Sequence, residues 1–336
     1  MSFHRHLPLL LATALLAAAA APAHAGTLKI ATIAPDGTQW MREMRAGAAT
    51  IAERTVGRVT FKFYPGGVMG NDATVMRKIR AGQLHGGAFT GGSLSELYPD
   101  MQVYSLPFLF RDYAEVDAVR TRLDPVLAQG LETQGMVALG ISEGGFAYLL
   151  SDTPVHSVAE LKDKKAWIPE GDAIGGAALR AAGVSPVPLP IADVYTGLQT
   201  GLVDTVAATP SAAIAFQWHT RMRHANDLPL SYLIGVLAVS LDGFAQVSPA
   251  DQEVVREVMG EVFRRLDRAN REDNAAARAA LEKRGVPFVR PTPDQRQGWE
   301  AAGARAREDL EARNIFSPNI LEKLGAALAA HRGGGG

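Results

Sequence analysis

The chain of 336 residues contains no cysteine. This absence excludes disulfide bonds, thiolate zinc sites, iron–sulfur clusters and a cysteine nucleophile. The chain also has almost no excess of charge, because 34 basic and 35 acidic side chains give a formal net charge of -1. A nucleic-acid-binding protein would normally be basic overall or carry a dense basic stripe. We therefore expect no nucleic acid among the partners of this protein.

Several motifs of catalysis and cofactor binding are missing as well. There is no P-loop, and no G-x-G-x-x-G lies between a strand and a helix. The segment Gly91-Gly92-Ser93-Leu94-Ser95 lacks the trailing glycine of a nucleophile elbow. His219 and His224 are the closest histidine pair after the first 25 residues, but their spacing does not suit one helical face. We expect no catalytic residue, no metal and no cofactor, and hence a binding protein rather than an enzyme.

The first 25 residues have the pattern of a secretory signal peptide. Residues 1–6 carry positive charge, residues 7–21 are almost wholly Leu and Ala, and Ala23-His24-Ala25 is an A-x-A cleavage site. The apolar run is shorter than the ~20 residues that span a bilayer, and no later segment approaches that length without charges. We expect cleavage after Ala25, export to the periplasm and no stable membrane insertion. Residues 333–336, all glycine, should form a disordered tail.

Strand-like and helix-like patterns alternate after the leader. The predicted strands cover residues 28–33, 59–64, 86–89, 137–141 and 164–168, and the first predicted helices cover residues 40–52 and 72–81. Strands separated by helices favour parallel pairing in an α/β architecture.

The last third of the sequence predicts long helices. Ser248-Pro249 is an N-cap followed by a proline, an apolar stripe then runs from Val254 to Leu266, and helical propensity stays high to Lys283. A helix of about 30 residues measures roughly 45 Å at 1.5 Å per residue, more than the diameter of a small domain. Thr292-Pro293 predicts the start of another helix. The sequence therefore predicts two α/β lobes tied together by one long helix.

Four segments in a fixed order form a more specific pattern. They are residues 28–40, Tyr64-Pro65-Gly66-Gly67-Val68-Met69-Gly70-Asn71-Asp72, Tyr104-Ser105-Leu106-Pro107-Phe108-Leu109-Phe110, and residues 186–204. Together they resemble the solute-binding subunits of TRAP (tripartite ATP-independent periplasmic) transporters, the DctP type. The resemblance implies an α/β, two-lobed periplasmic-binding-protein fold (type II-like) with crossing hinge segments and a long helix spanning both lobes. Lobe I would comprise residues 26–144 and about 234–275, and lobe II residues 145–233 and about 276–332.

The resemblance also implies a function. Such proteins capture a small organic solute by lobe closure and deliver it to TRAP membrane subunits, and the solute is usually a carboxylate gripped by arginine. At the two positions where the resemblance predicts arginine, this sequence has Trp167 and Ala147, and Thr209 stands where an asparagine commonly precedes proline. Tryptophan cannot supply the bidentate, charged grip of a guanidinium. A C4-dicarboxylate ligand is therefore not carried over.

Nine residues are predicted to contact the ligand. Aromatic faces come from Trp40, Phe89, Phe146 and Trp167, acceptors from Glu143, Glu170 and Asp172, and neutral polar groups from Gln39 and Thr209. Such a site favours a ligand with an apolar or cationic portion. Alternatively, Trp40 and Phe89 are core residues and Asp172 is a helix N-cap. Helix N-terminal amides near residues 172–175 could still hold a carboxylate.

Two other functions remain open from the sequence. One is an exported enzyme on a two-lobed scaffold, which a turnover assay on metabolite mixtures would reveal. The other is a binding protein coupled to a sensor instead of a transporter. Genes for two membrane proteins beside this one would favour transport.

Overall fold

The computed structural model describes residues 26–333, so the predicted signal peptide and residues 334–336 lie outside the described residues. Between residues 26 and 333 the strands are β1 (Gly26–Thr32), β2 (Val59–Tyr64), β3 (Gly86–Thr90), β4 (Met136–Ser151), β5 (Trp167–Ile168), β6 (Val187–Pro188), β7 (Thr205–Ala208), β8 (His224–Asn226), β9 (Ser231–Ser240) and β10 (Phe288–Val289). The helices are α1 (Gln39–Arg54), α2 (Asp72–Arg80), α3 (Tyr113–Thr133), α4 (Val158–Leu161), α5 (Ala173–Ala181), α6 (Val194–Thr200), α7 (Pro210–Ala215), α8 (Leu241–Ala245), α9 (Pro249–Lys283), α10 (Pro293–Ala312) and α11 (Pro318–Gly333).

The sheet of the first lobe has the strand order β2-β1-β3-β9-β4. Strand β1 pairs in parallel with both β2 and β3, as alternation of strands and helices predicts. Strand β9 is antiparallel to both β3 and β4, which corrects the expectation of parallel pairing throughout. A strand that returns from the second lobe enters the sheet from the other end, so it runs against its neighbours.

Strand β4 passes from one lobe into the other. Its residues from Met136 to Ala147 pair with β9, and those from Tyr148 to Ser151 pair with β7. Strand β8 pairs with the end of β4 and with β10, and the short pair β5 and β6 joins β7 through a single bridge. Strands β4 and β9 are the crossing segments of the two-lobed fold. The residue bounds of the two lobes stay a prediction.

Helix α9 has 35 residues, somewhat longer than expected from the sequence. Ser248 caps its first turn by accepting from the amide of Asp251, and Pro249 occupies the first helical position. Its N-terminal half buries Val255, Met259 and Val262 in the core of the first lobe, and α9 also contacts β4 and α7. Within residues 26–333, no helix combines the length and apolarity needed to cross a bilayer.

The last two helices pack on different parts of the molecule. Helix α10 begins with a capping box between Thr292 and Gln295 and packs on α5. Helix α11 packs on α3, and Ser317 just before it donates to Asp100 Oδ2 at 2.6 Å. Helix α11 therefore contacts α3, and the assignment of residues 276–332 to the second lobe stays a prediction. Gly333, expected to begin a tail, is the last residue of α11.

An ion pair that ties α11 to α3 makes stability depend on pH. Arg332 donates to both carboxylate oxygens of buried Glu115, at 2.7 and 2.8 Å, and this bonding lowers the pKa of Glu115 below its usual 4.5. A carboxyl whose pKa is lowered by folding adds stability above its unfolded pKa and loses it as the pH falls through the folded value. We expect Glu115→Gln to flatten the fall of the melting temperature below pH 4.5, where Glu300→Gln, in an exposed pair, should not. Equal slopes in wild type and Glu115→Gln would contradict this.

Candidate functional site

A cavity of about 280 Å³ lies between the two lobes, near the lower end of the ~300–1,000 Å³ typical of ligand sites. Both lobes and both crossing strands contribute to its wall. The first lobe supplies Ile33, Thr90, Gly91, Gly92, Gln102, Ser105, Pro107 and Phe108, the crossing strands supply Ala147, Leu149, Ser231, Leu233 and Ile234, and the second lobe supplies Trp167, Ile168, Pro169, Asp172, Thr205, Thr209, Phe216 and Trp218 among others. Helix α10 adds Trp299, Ala302 and Gly303.

Two contacts join the lobes next to the wall residues Pro169 and Asp172. Asn71 Nδ2, from the first lobe, lies 3.5 Å from Glu170 Oε2 in the second. Ser95 Oγ lies 3.5 Å from the carbonyl oxygen of Gly171. Both contacts are long for hydrogen bonds, so they are weak. These two contacts therefore add little to the free energy that holds the lobes together.

Three of the nine predicted residues line the cavity: Trp167, Asp172 and Thr209. Trp167 lies on β5 and is 6% exposed. Its indole Nε1 donates to the carbonyl oxygen of Leu189 at 3.0 Å, which fixes the ring. Its other neighbours belong to the core of the second lobe. The side chain of Trp167 therefore serves as core and as cavity wall.

Two aromatic residues that the sequence analysis did not select stand beside Trp167. The rings of Trp167 and Trp218 meet edge to face with centroids 5.1 Å apart, and Phe216 stacks on Trp218 at 5.5 Å. Gln217, between the last two, has a φ of 60°, the left-handed region. This turn allows Phe216 and Trp218, which are separated by one residue, to stack. We call Trp167, Phe216 and Trp218 the aromatic wall.

The two polar residues of the predicted set that reach the cavity are both helix caps. Asp172 caps α5, and its Oδ1 accepts from the amide of Gly175 at 2.9 Å. Burial raises the pKa of Asp172 above its usual value. Thr209 caps α7 by accepting from the amide of Ala212 at 3.2 Å, and Pro210 follows it. Asp172 and Thr209 therefore cap helices and line the cavity at the same time.

The remaining six predicted residues do not line the cavity. Phe89 and Phe146 are buried in the core, where Phe146 packs edge to face on Tyr113 and Tyr232. Trp40 packs against the core of the first lobe, and Gln39 bonds to Glu43 on the same helix. Glu143 is buried in an ion pair, and Glu170 lies next to the wall residue Pro169.

Strand geometry explains why Phe89 and Phe146 lie outside the cavity wall although their neighbours line it. Successive side chains of a strand point to opposite faces. Thr90 and Ala147 line the cavity, so their neighbours Phe89 and Phe146 point away from it into the core. The sequence indicated the correct strands but not the face that each residue presents.

Glu143 has all its partners inside the protein. Its side chain is fully buried, and it accepts from Arg271 Nε at 2.9 Å and from the hydroxyl of Tyr232 at 2.9 Å. Arg271 also bonds to Asp117 and lies over the ring of Tyr113. This cluster, on β4, β9, α9 and α3, joins the crossing strands to the long helix.

The structure shows where two candidate catalytic or metal-binding patterns of the sequence lie. Residues 140–144 do match G-x-S-x-G, but Ser142 lies within β4 and pairs with Gly235 of β9 instead of opening a helix. His219 bonds to the carbonyl of Ala213 and to Arg284. Among residues 26–333, no group of His, Asp and Glu is arranged to hold a metal ion.

Comparisons with known proteins give relatives of one kind. Over 271 residues the chain is 26% identical to the C4-dicarboxylate-binding periplasmic protein DctP of Rhodobacter capsulatus, covering 78% of this chain and 80% of that one. It is 31% identical over 156 residues to the 2,3-diketo-L-gulonate-binding periplasmic protein YiaO of Escherichia coli, a match that spans 46% of this chain and 47% of the relative.

Solved structures agree on the fold. A TRAP periplasmic solute-binding protein of Xanthobacter autotrophicus with bound β-D-galacturonate superposes with a TM-score of 0.83 at 21% identity, covering 90% of this chain and 99% of that one. One from Desulfovibrio salexigens with bound orotic acid gives a TM-score of 0.84 at 17% identity, covering 91% and 99%. The predicted two-lobed fold is thereby confirmed. The profile of the DctP family, described as bacterial extracellular solute-binding protein, family 7, matches residues 30–314, so the chain belongs to this family.

Proposed function

We propose that this protein is a periplasmic receptor that encloses one small organic molecule between its lobes and delivers it to the membrane subunits of a TRAP transporter. The observation that carries the proposal is the cavity, whose wall draws on both lobes and on both crossing strands. Membership of a solute-binding family supports the same function. The relatives named as periplasmic, together with the leader pattern of residues 1–25, support the location.

The same observations favour binding over catalysis. Within the described residues, Asp172 is the one acid or base of the cavity wall, and its Oδ1 is engaged as a helix cap. A general acid or base must lie within hydrogen-bond reach of the proton that it transfers, and a carboxylate held by a backbone amide is a poor candidate for this task. We therefore propose a receptor without enzymatic activity.

Lobe closure around the solute gives a direct test. Because hinge closure is the usual response of two-lobed receptors, we expect ligand to reduce the radius of gyration measured by X-ray scattering. The ligand to use is the molecule released when protein purified from the periplasm is denatured, identified by mass spectrometry. The ligand-free sample is the same protein refolded after dialysis in denaturant.

Three results would count against the receptor. One is a purified protein that releases no small molecule and shows no change in radius with any candidate. Another is turnover of the released molecule, which would favour the enzyme. If the ligand closes the lobes but TRAP membrane subunits reconstituted in vesicles take up no solute from the loaded protein, the coupling to transport is wrong and a sensor partner is favoured.

A further inference from the structure

The cavity wall differs from what the resemblance predicts in the sign of its charge. Among residues 26–333, no lysine, arginine or histidine lines it, and its single ionisable side chain is acidic Asp172. The two positions expected to hold arginine, Trp167 and Ala147, are both in the wall. Positively charged side chains are therefore missing from the described cavity wall itself, where a ligand would bind.

Two other sources of positive charge near the wall are already used by the protein. The N-terminus of α5 could attract an anion, but the carboxylate of Asp172 accepts from its Gly175 amide at 2.9 Å. Arg307, on α10, approaches the wall residue Pro107, but it donates to the carbonyl oxygen of that residue. A carboxylate in the cavity would lose its water, gain no cation and face a second acid. Burying an unpaired charge in this way is strongly unfavourable.

Most polar side chains of the wall bond within the protein. Two buried atoms, Gln102 Oε1 and Trp218 Nε1, have no partner among the described residues, so that one can accept and the other donate a hydrogen bond to an uncharged polar group of a ligand. Thr90 bonds to Ser93, and Ser105 donates to the carbonyl of Tyr232. Thr205 donates to Asp204, and Thr209 is a helix cap. Most of the surface that the cavity presents to a ligand is suited to apolar contact, above all the edges and faces of the aromatic wall.

We propose that the ligand of this receptor is an uncharged, predominantly apolar ring compound packed against the aromatic wall, and that carboxylic acids enter the cavity only in their protonated form. This proposal rests on the proposed receptor function and adds the class of solute. The cavity of about 280 Å³ limits the ligand to a small molecule.

The test compares a matched pair of probes, 4-methylbenzamide and 4-methylbenzoate, with succinate and D-galacturonate as additional carboxylates. Binding to ligand-free protein is measured by calorimetry and by indole fluorescence, since three tryptophans lie in the wall. At pH 7.5 we expect the amide to bind at least tenfold more tightly than the carboxylate. Apparent affinity for the carboxylate should rise about tenfold per unit as the pH is lowered towards the pKa of the probe, since only its protonated form binds.

Two variants of Ala147 provide the matched control. Ala147→Arg places a guanidinium in the wall and should reverse the preference, so that the carboxylate binds more tightly than the amide at pH 7.5. Ala147→Met adds similar bulk without charge and should leave the preference for the amide. If melting shows that Ala147→Arg does not fold, Ile33→Arg introduces the charge from the opposite, half-buried side of the cavity.

The outcomes separate the ligand class from the receptor function. Binding of a carboxylate at pH 7.5 that is as tight as that of the amide, or a carboxylate released from the purified protein, would overturn the ligand class and leave the receptor standing. If the protein releases no small molecule and binds none of the four probes, the receptor function itself fails and the proposed ligand class falls with it. An uncharged ring compound released from the purified protein would support both.

Discussion

Replacement of Arg271 by alanine is expected to lower the free energy of unfolding by about 3 kcal/mol. The reason is that the carboxylate of Glu143, with no exposed side-chain area, would lose its main partner while remaining buried. Arg120 lies 3.9 Å away and already pairs with Asp267 at 2.9 Å, so it can compensate only in part. Guanidinium denaturation monitored by circular dichroism measures the change.

Two further variants show whether the buried charge is the cause. Replacing Arg271 and Glu143 together by leucine should cost less than Arg271→Ala, because no unpaired charge is then left behind. Arg296→Ala removes half of an exposed pair, at 62% and 48% exposure, and should change stability by no more than about 0.5 kcal/mol. A loss below about 1 kcal/mol for Arg271→Ala would show that the hinge does not depend on this pair.

The second large effect is expected at Trp167, which belongs to both the core and the cavity wall. Trp167→Ala should destabilise the ligand-free protein by about 3 kcal/mol or more, as is usual for a buried tryptophan. It should also weaken binding of the released ligand by about 1–3 kcal/mol, or roughly five- to hundredfold, because an aromatic contact is lost. Melting with and without ligand, together with calorimetry, separates the two effects.

Controls at other aromatic positions make the assignment specific. Trp167→Phe loses the hydrogen bond to Leu189 but keeps a ring against Trp218. Because the aromatic contact is kept, this variant should retain most of the ligand affinity. Trp40→Ala removes a tryptophan that packs in the first lobe outside the cavity, and ligand affinity should stay unchanged. If Trp167→Ala destabilises the protein but binds the ligand as tightly as wild type, Trp167 is a core residue alone.

Local signals in the sequence predicted much of the fold. Strand β2 begins and ends where its alternation of residues indicates, and the N-cap and proline at Ser248-Pro249 mark the start of α9. These signals are local because caps and alternation act within a few residues. They predict elements well, and the family resemblance supplies their arrangement.

Strand β4 shows where local signals fail. The sequence predicts a strand from 137 to 141, but β4 continues to Ser151 and includes Gly140, Gly144 and Gly145. A side chain at Gly140 would overlap the ring of Phe263 on α9, and the pairing with β9 shifts register at Gly140 and Gly145. These glycines serve close packing and β-bulges, which only the tertiary structure reveals.

The candidate site was harder to predict than the fold. The resemblance led to Trp167 and Thr209, whose positions in the wall follow from matching motifs. It gave no indication of Phe216 and Trp218, which meet because Gln217 adopts a left-handed conformation. That conformation is rare for a residue other than glycine, asparagine or aspartate, so nothing in the sequence suggests it.

Helix α9 has a mechanical consequence for the receptor. It measures about 52 Å at 1.5 Å per residue, and its internal hydrogen bonds prevent it from shortening or stretching. Helix α9 contacts α1 and β4 in one part and α7 in another, so the distance along the helix between these contacts is fixed. We therefore expect the lobes to open by rotation about α9, so that displacement grows with distance from this helix. On that expectation the contact between Asn71 and Glu170 separates, while Glu143, bonded to α9 through Asn270, moves little.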